Sequence, residues 1–162
     1  MALQKLLHSG YRYALSLTHH PASAEDILQD AWVATLQAGG PHNKPYLFRA
    51  IRSRFLNQHK RERLVPMVSI EETALEWGVD DHLQDNDPLF AVSETALENA
   101  LATLRPLERE ALFLAVIEGY TAQEISAITA QPRGSVLSLI HRARQKLRHL
   151  LCVADEPREA NA

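Results

Sequence analysis

Apolar residues recur every three or four positions along both ends of this chain, and nowhere do they alternate over the length of a half-buried strand. That single pattern predicts an all-α fold. Leu3, Leu6, Leu7, Ala14 and Leu15 form a first stripe, and after a break at His20-Pro21 a second runs through Ile27, Leu28, Ala31, Trp32 and Leu36. Gly39, Gly40 and Pro41 end that second helix. A third helix is expected to start near Pro45, to carry Leu47, Phe48, Ile51 and Phe55 on one side, and to fade near Leu64. These three make a first bundle.

A second helical group follows Ser93. Its elements are a short helix with Leu97, Leu101 and Leu104, then Leu107 to about Glu118, Thr121 to about Ile128, and a longer helix from Pro132 to about Leu151. Gly119 separates two of them, and Pro132 suits the first turn of the last. Between the groups, residues 65–93 carry Pro66, Gly78 and Pro88 among acids with weak apolar periodicity, and read as a flexible linker. The expected organisation is therefore a first domain over 1–64, an acidic linker over 65–93, a second domain over 94–152 and a polar, frayed tail over 153–162. A chain of 162 residues suffices for two such small domains.

Charge divides along the same boundaries. Met1 to Leu64 holds nine Lys or Arg against four acids, a net +5; Val65 to Leu104 holds nine acids and no Lys or Arg, a net -9; the remainder nets +1. Within that last part, Arg133 to Arg148 has five cations and no acid. A whole-chain charge of -3 hides two separate basic surfaces.

The sharpest local signal is Thr121-Ala122-Gln123-Glu124, whose Thr and Glu have the spacing of a capping box. It opens a short helix followed, after a break, by a cationic one, the order of a helix-turn-helix. At 100° per residue, Val136, Ile140, Ala143, Leu147 and Leu150 share a stripe, which leaves Ser138, His141, Arg142, Gln145 and His149 outward. Such a helix can enter a major groove with Arg133, Ser135 and Ser138 near its leading end; an ordinary helix pair with a solvated face is the plainer reading. On the third helix the same arithmetic gathers Arg49, Arg52, Lys60 and Arg63 on one face, with Arg54 and Arg61 flanking the apolar side and Asn57 and Gln58 between. Only Glu62 interrupts these cations, so the i,i+4 ion pairs of a merely solvated helix are largely missing and phosphate contact gains weight. The second helix concentrates acids at Glu25, Asp26 and Asp30. Glu25 and Asp26 near its start favour the helix dipole, which explains part of the cluster, while Gln29 and Asp30 fit a basic protein partner.

Catalysis finds little support. Eight His are scattered without the paired spacing of a zinc hydrolase, one Cys builds no thiolate cluster or internal disulfide, and there is no Gly-rich phosphate loop or nucleophile elbow. No enzyme activity, catalytic residue, cofactor, metal or small-molecule substrate is expected. The longest unbroken apolar run is Ala111 to Ile117 and no charged-then-apolar leader opens the chain, so a soluble, cytoplasmic protein without membrane insertion is expected.

From about Leu6 to Leu151 the chain resembles the extracytoplasmic-function (ECF) sigma factors of bacterial RNA polymerase. Ala24-Glu25-Asp26-Ile27-Leu28-Gln29-Asp30-Ala31-Trp32 is similar to the region 2 motif that docks on core polymerase, and Tyr46 to Ile51 with Lys60 to Arg63 is similar to the segment that melts and reads the minus-ten element. Leu104 to Ala111, Gly119-Tyr120-Thr121, Glu124-Ile125 and Gly134 to Arg144 resemble the region 4 helix-turn-helix that reads the minus-thirty-five element. The resemblance implies that Glu25, Asp26, Gln29 and Asp30 bind core polymerase. It implies that Asn43, Lys44, Arg49, Arg52, Asn57, Lys60, Arg61 and Arg63 meet minus-ten DNA, and that Thr121, Arg133, Ser135, Ser138, His141, Arg142 and Arg144 meet minus-thirty-five DNA. Core RNA polymerase, promoter DNA and an anti-sigma factor, which holds the protein near the membrane in some relatives, are the implied partners. The implied activity is promoter-specific initiation.

The chain also departs from the family pattern. Ser53 and Asn57 stand where Asn and Asp are common, Leu137 and Leu139 where Lys and Arg are common, and Thr129-Ala130-Gln131 replaces an apolar-Gly-apolar turn. Leu137 is expected to be exposed, Leu139 to lie at the edge of the core stripe, and the Ala38 to Lys44 loop, where the family captures a flipped base, is short. Two other readings follow: a sigma-like protein that binds polymerase or an anti-sigma factor without full promoter recognition, and a helix-turn-helix regulator acting without polymerase. A compact free state, in which the two bundles pack and cover the DNA faces, is a further expectation.

Overall fold

The computed structural model describes residues 2–62 and 94–155, and over these the chain is all helix. In order, the helices are α1 (Ala2–Thr18), α2 (Pro21–Ala38), α3 (Lys44–Glu62), α4 (Glu94–Thr103), α5 (Pro106–Val116), α6 (Ala122–Thr129) and α7 (Arg133–Asp155). The expected linker, together with Arg63 and Leu64, lies outside the described residues.

Each break has a local cause. Between α1 and α2 the backbone turns left-handed at His19, Pro21 takes the first position of α2, and the His20 ring accepts the Ser23 N–H at 3.3 Å. At the far end of α2, Gly39 adopts φ +65°, and the N–H groups of Gly39 and Gly40 donate to Leu36 O and Thr35 O, both at 3.2 Å. Asn43 then caps α3, its Oδ1 accepting from the Tyr46 N–H at 3.0 Å.

Gly10 sets how closely α1 approaches its partners. A Cβ there would fall 2.8 Å from a Leu47 methyl and 2.9 Å from a Leu28 methyl, so a side chain at this position would push the ends of both leucines aside where α1 meets α2 and α3. Tyr13, Ala14, Leu17, Ile27, Ala31, Leu47, Phe48, Ile51 and Phe55 fill the first core, each large side chain contributing roughly 1.5–3 kcal/mol by burial. Two residues of the expected stripes are exposed instead. Leu3 is 48% exposed in the first turn of α1, and Leu36 is 52% exposed because nine residues place it half a turn from Ile27.

In the second group, α5 and α6 pack on the leading half of α7 through Ala111, Leu114, Ile125, Ile128, Val136, Leu139 and Ile140. The shorter α4 covers the trailing half, where Ala100, Leu104, Ala143, Leu147 and Leu151 form a smaller cluster. The last helix continues to Asp155, past its expected end near Leu151, so residues 153–155 of the expected tail are helical, and Cys152 is exposed.

The two groups share one core. Buried side chains run without interruption from Leu6 to Ile140, with α5 lying on α1 and α6 on α3. Tyr13 marks the seam, stacked on Phe48 at 4.5 Å within its own bundle and facing Phe113 at 6.2 Å across the joint. Among the described residues, no helix is long and apolar enough to cross a membrane, and no group of three or more His, Cys, Asp or Glu is arranged to hold a metal ion.

Candidate nucleic-acid and protein interfaces

Three surfaces carry the expected contact residues. On α2, Glu25, Asp26, Gln29 and Asp30 are all exposed. Helical spacing continues their face into Val33 and Leu36, which are 50% and 52% exposed, so the acidic strip has an apolar extension one to two turns long. Sequence reading missed that extension because it assigned Leu36 to the core. Acid and exposed branched aliphatic side by side suit a protein partner with cations around an apolar groove.

The basic face of α3 is divided. Arg49, Asn57, Lys60 and Arg61 are exposed, Arg54 is exposed beside them, and Arg63 lies outside the described residues. Arg52 is not opposite the core. It follows Phe48 by one turn, which puts it at the rim of the apolar stripe, and its side chain is 12% exposed. There its Nε donates to both carboxylate oxygens of Glu110, at 3.3 and 3.1 Å. Lys44 is engaged too, its Nζ 3.0 Å from Glu118 Oε2. Asn43 spends its carbonyl oxygen on the cap of α3. Beside this loop an open cleft brings Lys5, His8 and Ser9 of α1 against His42, Asn43 and Lys44, and the His42 ring leans on Trp32 at 5.0 Å.

On the helix-turn-helix, the capping box is formed in full: Thr121 Oγ1 accepts the Glu124 N–H and Glu124 Oε1 accepts the Thr121 N–H, both at 3.2 Å. Thr121, Arg133 and His141 are exposed, while Ser135, Arg142 and Arg144 are half-buried. Two expectations need correction. Ser138 is buried at 4% exposure, on a helix that α4, α5 and α6 all pack against. Leu137, expected to be exposed, is half-buried. Leu139 is 3% exposed and belongs to the core. The missing turn glycine is met by Ala130 itself, which adopts φ +56° while Ser126 Oγ donates to Gln131 O at 2.5 Å.

The group that sequence reading missed is Glu108-Arg109-Glu110, all buried. Arg109 donates to four main-chain carbonyls, Ser16 at 2.6 Å and Leu17 at 3.1 Å near the end of α1, and Leu101 at 3.2 Å and Leu104 at 3.0 Å around the end of α4. Two helix C-termini thus converge on one cation, and burial draws its pKa below the usual guanidinium value. Glu108 accepts from Lys146 at 2.7 Å, and its other oxygen has no hydrogen-bond partner among the described residues. Glu110 accepts from Arg52 and from the Tyr13 hydroxyl, the latter at 2.5 Å. Burial raises the Glu110 carboxyl above its ordinary value, with Arg52 and Tyr13 opposing, and burial next to Glu110 pushes Tyr13 well up. One sequence signal existed. Three consecutive charged residues span about 200° of a helix, so a helix with Ala111 and Leu114 inward must turn at least one charge toward other elements.

Comparison with known proteins divides the chain at the same place. The family model for Sigma-70 region 2 matches residues 2–65, and that for Sigma-70, region 4 matches residues 94–147. The chain is 29% identical over 147 residues to the ECF RNA polymerase sigma factor SigE of Mycolicibacterium smegmatis, covering 87% of this chain and 56% of that protein, so it spans about half of this longer relative. It is 28% identical to the RNA polymerase sigma factor CarQ of Myxococcus xanthus (83% of this chain, 78% of the relative) and 27% identical to the ECF sigma factor SigM of Bacillus subtilis (91% of each). Among solved structures, the chain resembles the sigma factor RpoE of Bartonella quintana in its complex with the anti-sigma factor NepR. That likeness has 25% identity and a TM-score of 0.66 over 93% of this chain and 94% of that one.

Proposed function

Because the chain belongs to the sigma-70 family, as a sigma factor of the ECF type with a region 2 and a region 4, we propose that it binds core RNA polymerase and directs initiation at its own class of promoters. The observation that carries this reading is the segregation of charge on the first bundle. An exposed acid-and-apolar face on α2 (Glu25, Asp26, Gln29, Asp30, Val33, Leu36) stands apart from an exposed cationic face on α3 (Arg49, Lys60, Arg61). A chain that only bound DNA has no use for the first, and one that only bound protein has no use for the second.

In this mechanism α2 anchors the chain on polymerase. The α3 cations, with Asn57 among them, follow the backbone of a melted strand, and the cleft around His42, Asn43 and Lys44 accepts an unstacked base. Unstacking costs roughly a few kcal/mol, offset by phosphate contacts and base stacking. On the second bundle Arg133, Ser135, His141, Arg142 and Arg144 address the minus-thirty-five duplex, with Thr121 opening the preceding helix. Each bundle alone is a small reader; polymerase holding both at fixed spacing multiplies their affinities. Sigma factors are initiation factors rather than enzymes, and the site of action is the cytoplasm. The likeness to a sigma factor in complex with an anti-sigma factor supports a protein antagonist of that kind for this chain as well.

The test is transcription in vitro by purified core polymerase plus this protein on a fragmented genomic library, with start sites sequenced. New starts sharing two upstream elements at fixed spacing are expected. The triple change Glu25→Lys, Asp26→Lys, Asp30→Lys is expected to abolish them, by tenfold or more, while leaving helicity intact. Starts that persist undiminished in this variant overturn the polymerase reading.

A further inference from the structure

We propose that the face of α1 formed by Lys5, His8 and Arg12 is a second track for the melted strand, taking up phosphates next to the base that the cleft holds. This rests on the assignment of that cleft and of α3 to single-stranded DNA. Three observations carry it. Residues 5, 8 and 12 fall within about 60° of one another around the helix, so their side chains share one face, and all three are exposed. That face begins as a wall of the cleft: Lys5, His8 and Ser9 line it against His42, Asn43 and Lys44, and none of the described residues that line it is an acid. Arg12 continues the same face about one turn further along α1. Finally, α1 carries no Asp or Glu anywhere between Ala2 and Thr18.

A face that only kept the helix in solution would pair its cations with carboxylates three or four residues away, and α1 has none to offer. The acids of the first bundle lie elsewhere. Three of the four are on the exposed face of α2, and the fourth is Glu62 at the end of α3. Of the basic groups around the cleft, Lys44 is already held by Glu118 at 3.0 Å, which leaves the α1 wall as its other source of full positive charge. The opposite wall is set before any strand arrives. Asn43 caps α3, the His42 ring leans on Trp32, and the Tyr46 ring lies where a Cβ at Gly40 would be, so the loop is held on three sides. A strand whose base enters between these walls has its backbone beside α1. From Lys5 to Arg12 the helix rises about 10 Å, enough to meet more than one phosphate. Lys5 and Arg12 supply charge, and His8 between them adds a ring N–H donor.

The experiment reads anisotropy of a mixed-sequence single-stranded oligonucleotide over a salt series, with the full chain alone and bound to core polymerase. The track variant is Lys5→Gln, His8→Gln, Arg12→Gln, and the reference is Arg49→Gln, Lys60→Gln, Arg61→Gln on α3. Arg105→Gln, at a side chain 76% exposed on the second bundle, shows what one lost charge does away from both. All three track positions are exposed, so helicity is expected to hold, which circular dichroism checks. Expected in the track variant are roughly tenfold weaker binding at low salt and a salt slope shallower by about 1.4, from about 0.7 for each of Lys5 and Arg12, with core affinity unchanged. A track variant no weaker than Arg105→Gln, beside a weakened α3 reference, overturns the second track and leaves the assignment of α3 standing. Binding undiminished in both variants overturns that assignment and the track with it. Loss of core affinity in the track variant, with oligonucleotide binding intact, makes this face a polymerase contact and overturns the proposal.

Discussion

Arg109 commits its guanidinium to carbonyl oxygens of Ser16, Leu17, Leu101 and Leu104, so three N–H-bearing nitrogens satisfy acceptors at two helix ends, of which Leu101 O also accepts the Leu104 N–H. Truncating it leaves those acceptors buried with nothing to replace the cation. Arg109→Ala is therefore expected to cost about 2–4 kcal/mol, read as a lowered urea midpoint of the full chain, and Arg109→Lys to recover only part because an ammonium cannot span both helix ends. An unchanged midpoint in the alanine variant sinks this account. Nothing in the local sequence announces that role: the partners at Ser16 and Leu17 lie more than ninety residues upstream, and a helical wheel shows only that some charge near position 109 points inward. Glu25, Asp26, Gln29 and Asp30 were legible for the opposite reason, since an exposed face is declared by the residues that compose it.

Helix boundaries were the most readable level of the structure, because each is written in local chemistry: His20-Pro21, Gly39 with Gly40, Asn43, Gly119 and the Thr121 capping box all sit where the breaks occur. The helix-turn-helix corner shows the limit. Its sequence signals a missing glycine but does not say which residue bends, and the structure assigns the left-handed position to Ala130 at φ +56°. A Cβ in that region costs roughly 1–2 kcal/mol, part of which a glycine gives back as unfolded-chain entropy. Ala130→Gly is thus expected to stabilise the chain by up to about 1 kcal/mol and raise its melting temperature by a few degrees. A lowered melting temperature contradicts the strain. Ser138 was misread at this same level, since a wheel drawn for one packed face does not show that three helices pack around α7.

At the scale of the whole molecule, charge segregation and helix grouping could be read from the sequence, whereas the residues that join the two bundles could not, because their pairs form only when two distant bundles meet. The seam carries a titration. Desolvation raises the Glu110 carboxyl above its ordinary value in the closed form, where the two bundles pack together, against the lowering influence of Arg52 on α3 and Tyr13 on α1. The closed form therefore binds more protons than the separated one between those two values, and closure strengthens as pH falls. Scattering at about pH 7 and about pH 5 is expected to show a smaller average radius at the lower pH, with the difference lost in Glu110→Gln. An equal or larger radius at the lower pH reverses the sign and refutes the assignment. The long reach from Arg109 and Glu110 back to α1 also bears on synthesis. The ribosome finishes α3 at Glu62 and needs about 44 further residues to reach Pro106, roughly 2–9 s at 5–20 residues per second. For that interval the first bundle exists with its seam uncovered and its α2 face already formed, so a nascent chain near polymerase has a brief opportunity to engage it before its own C-terminal half arrives.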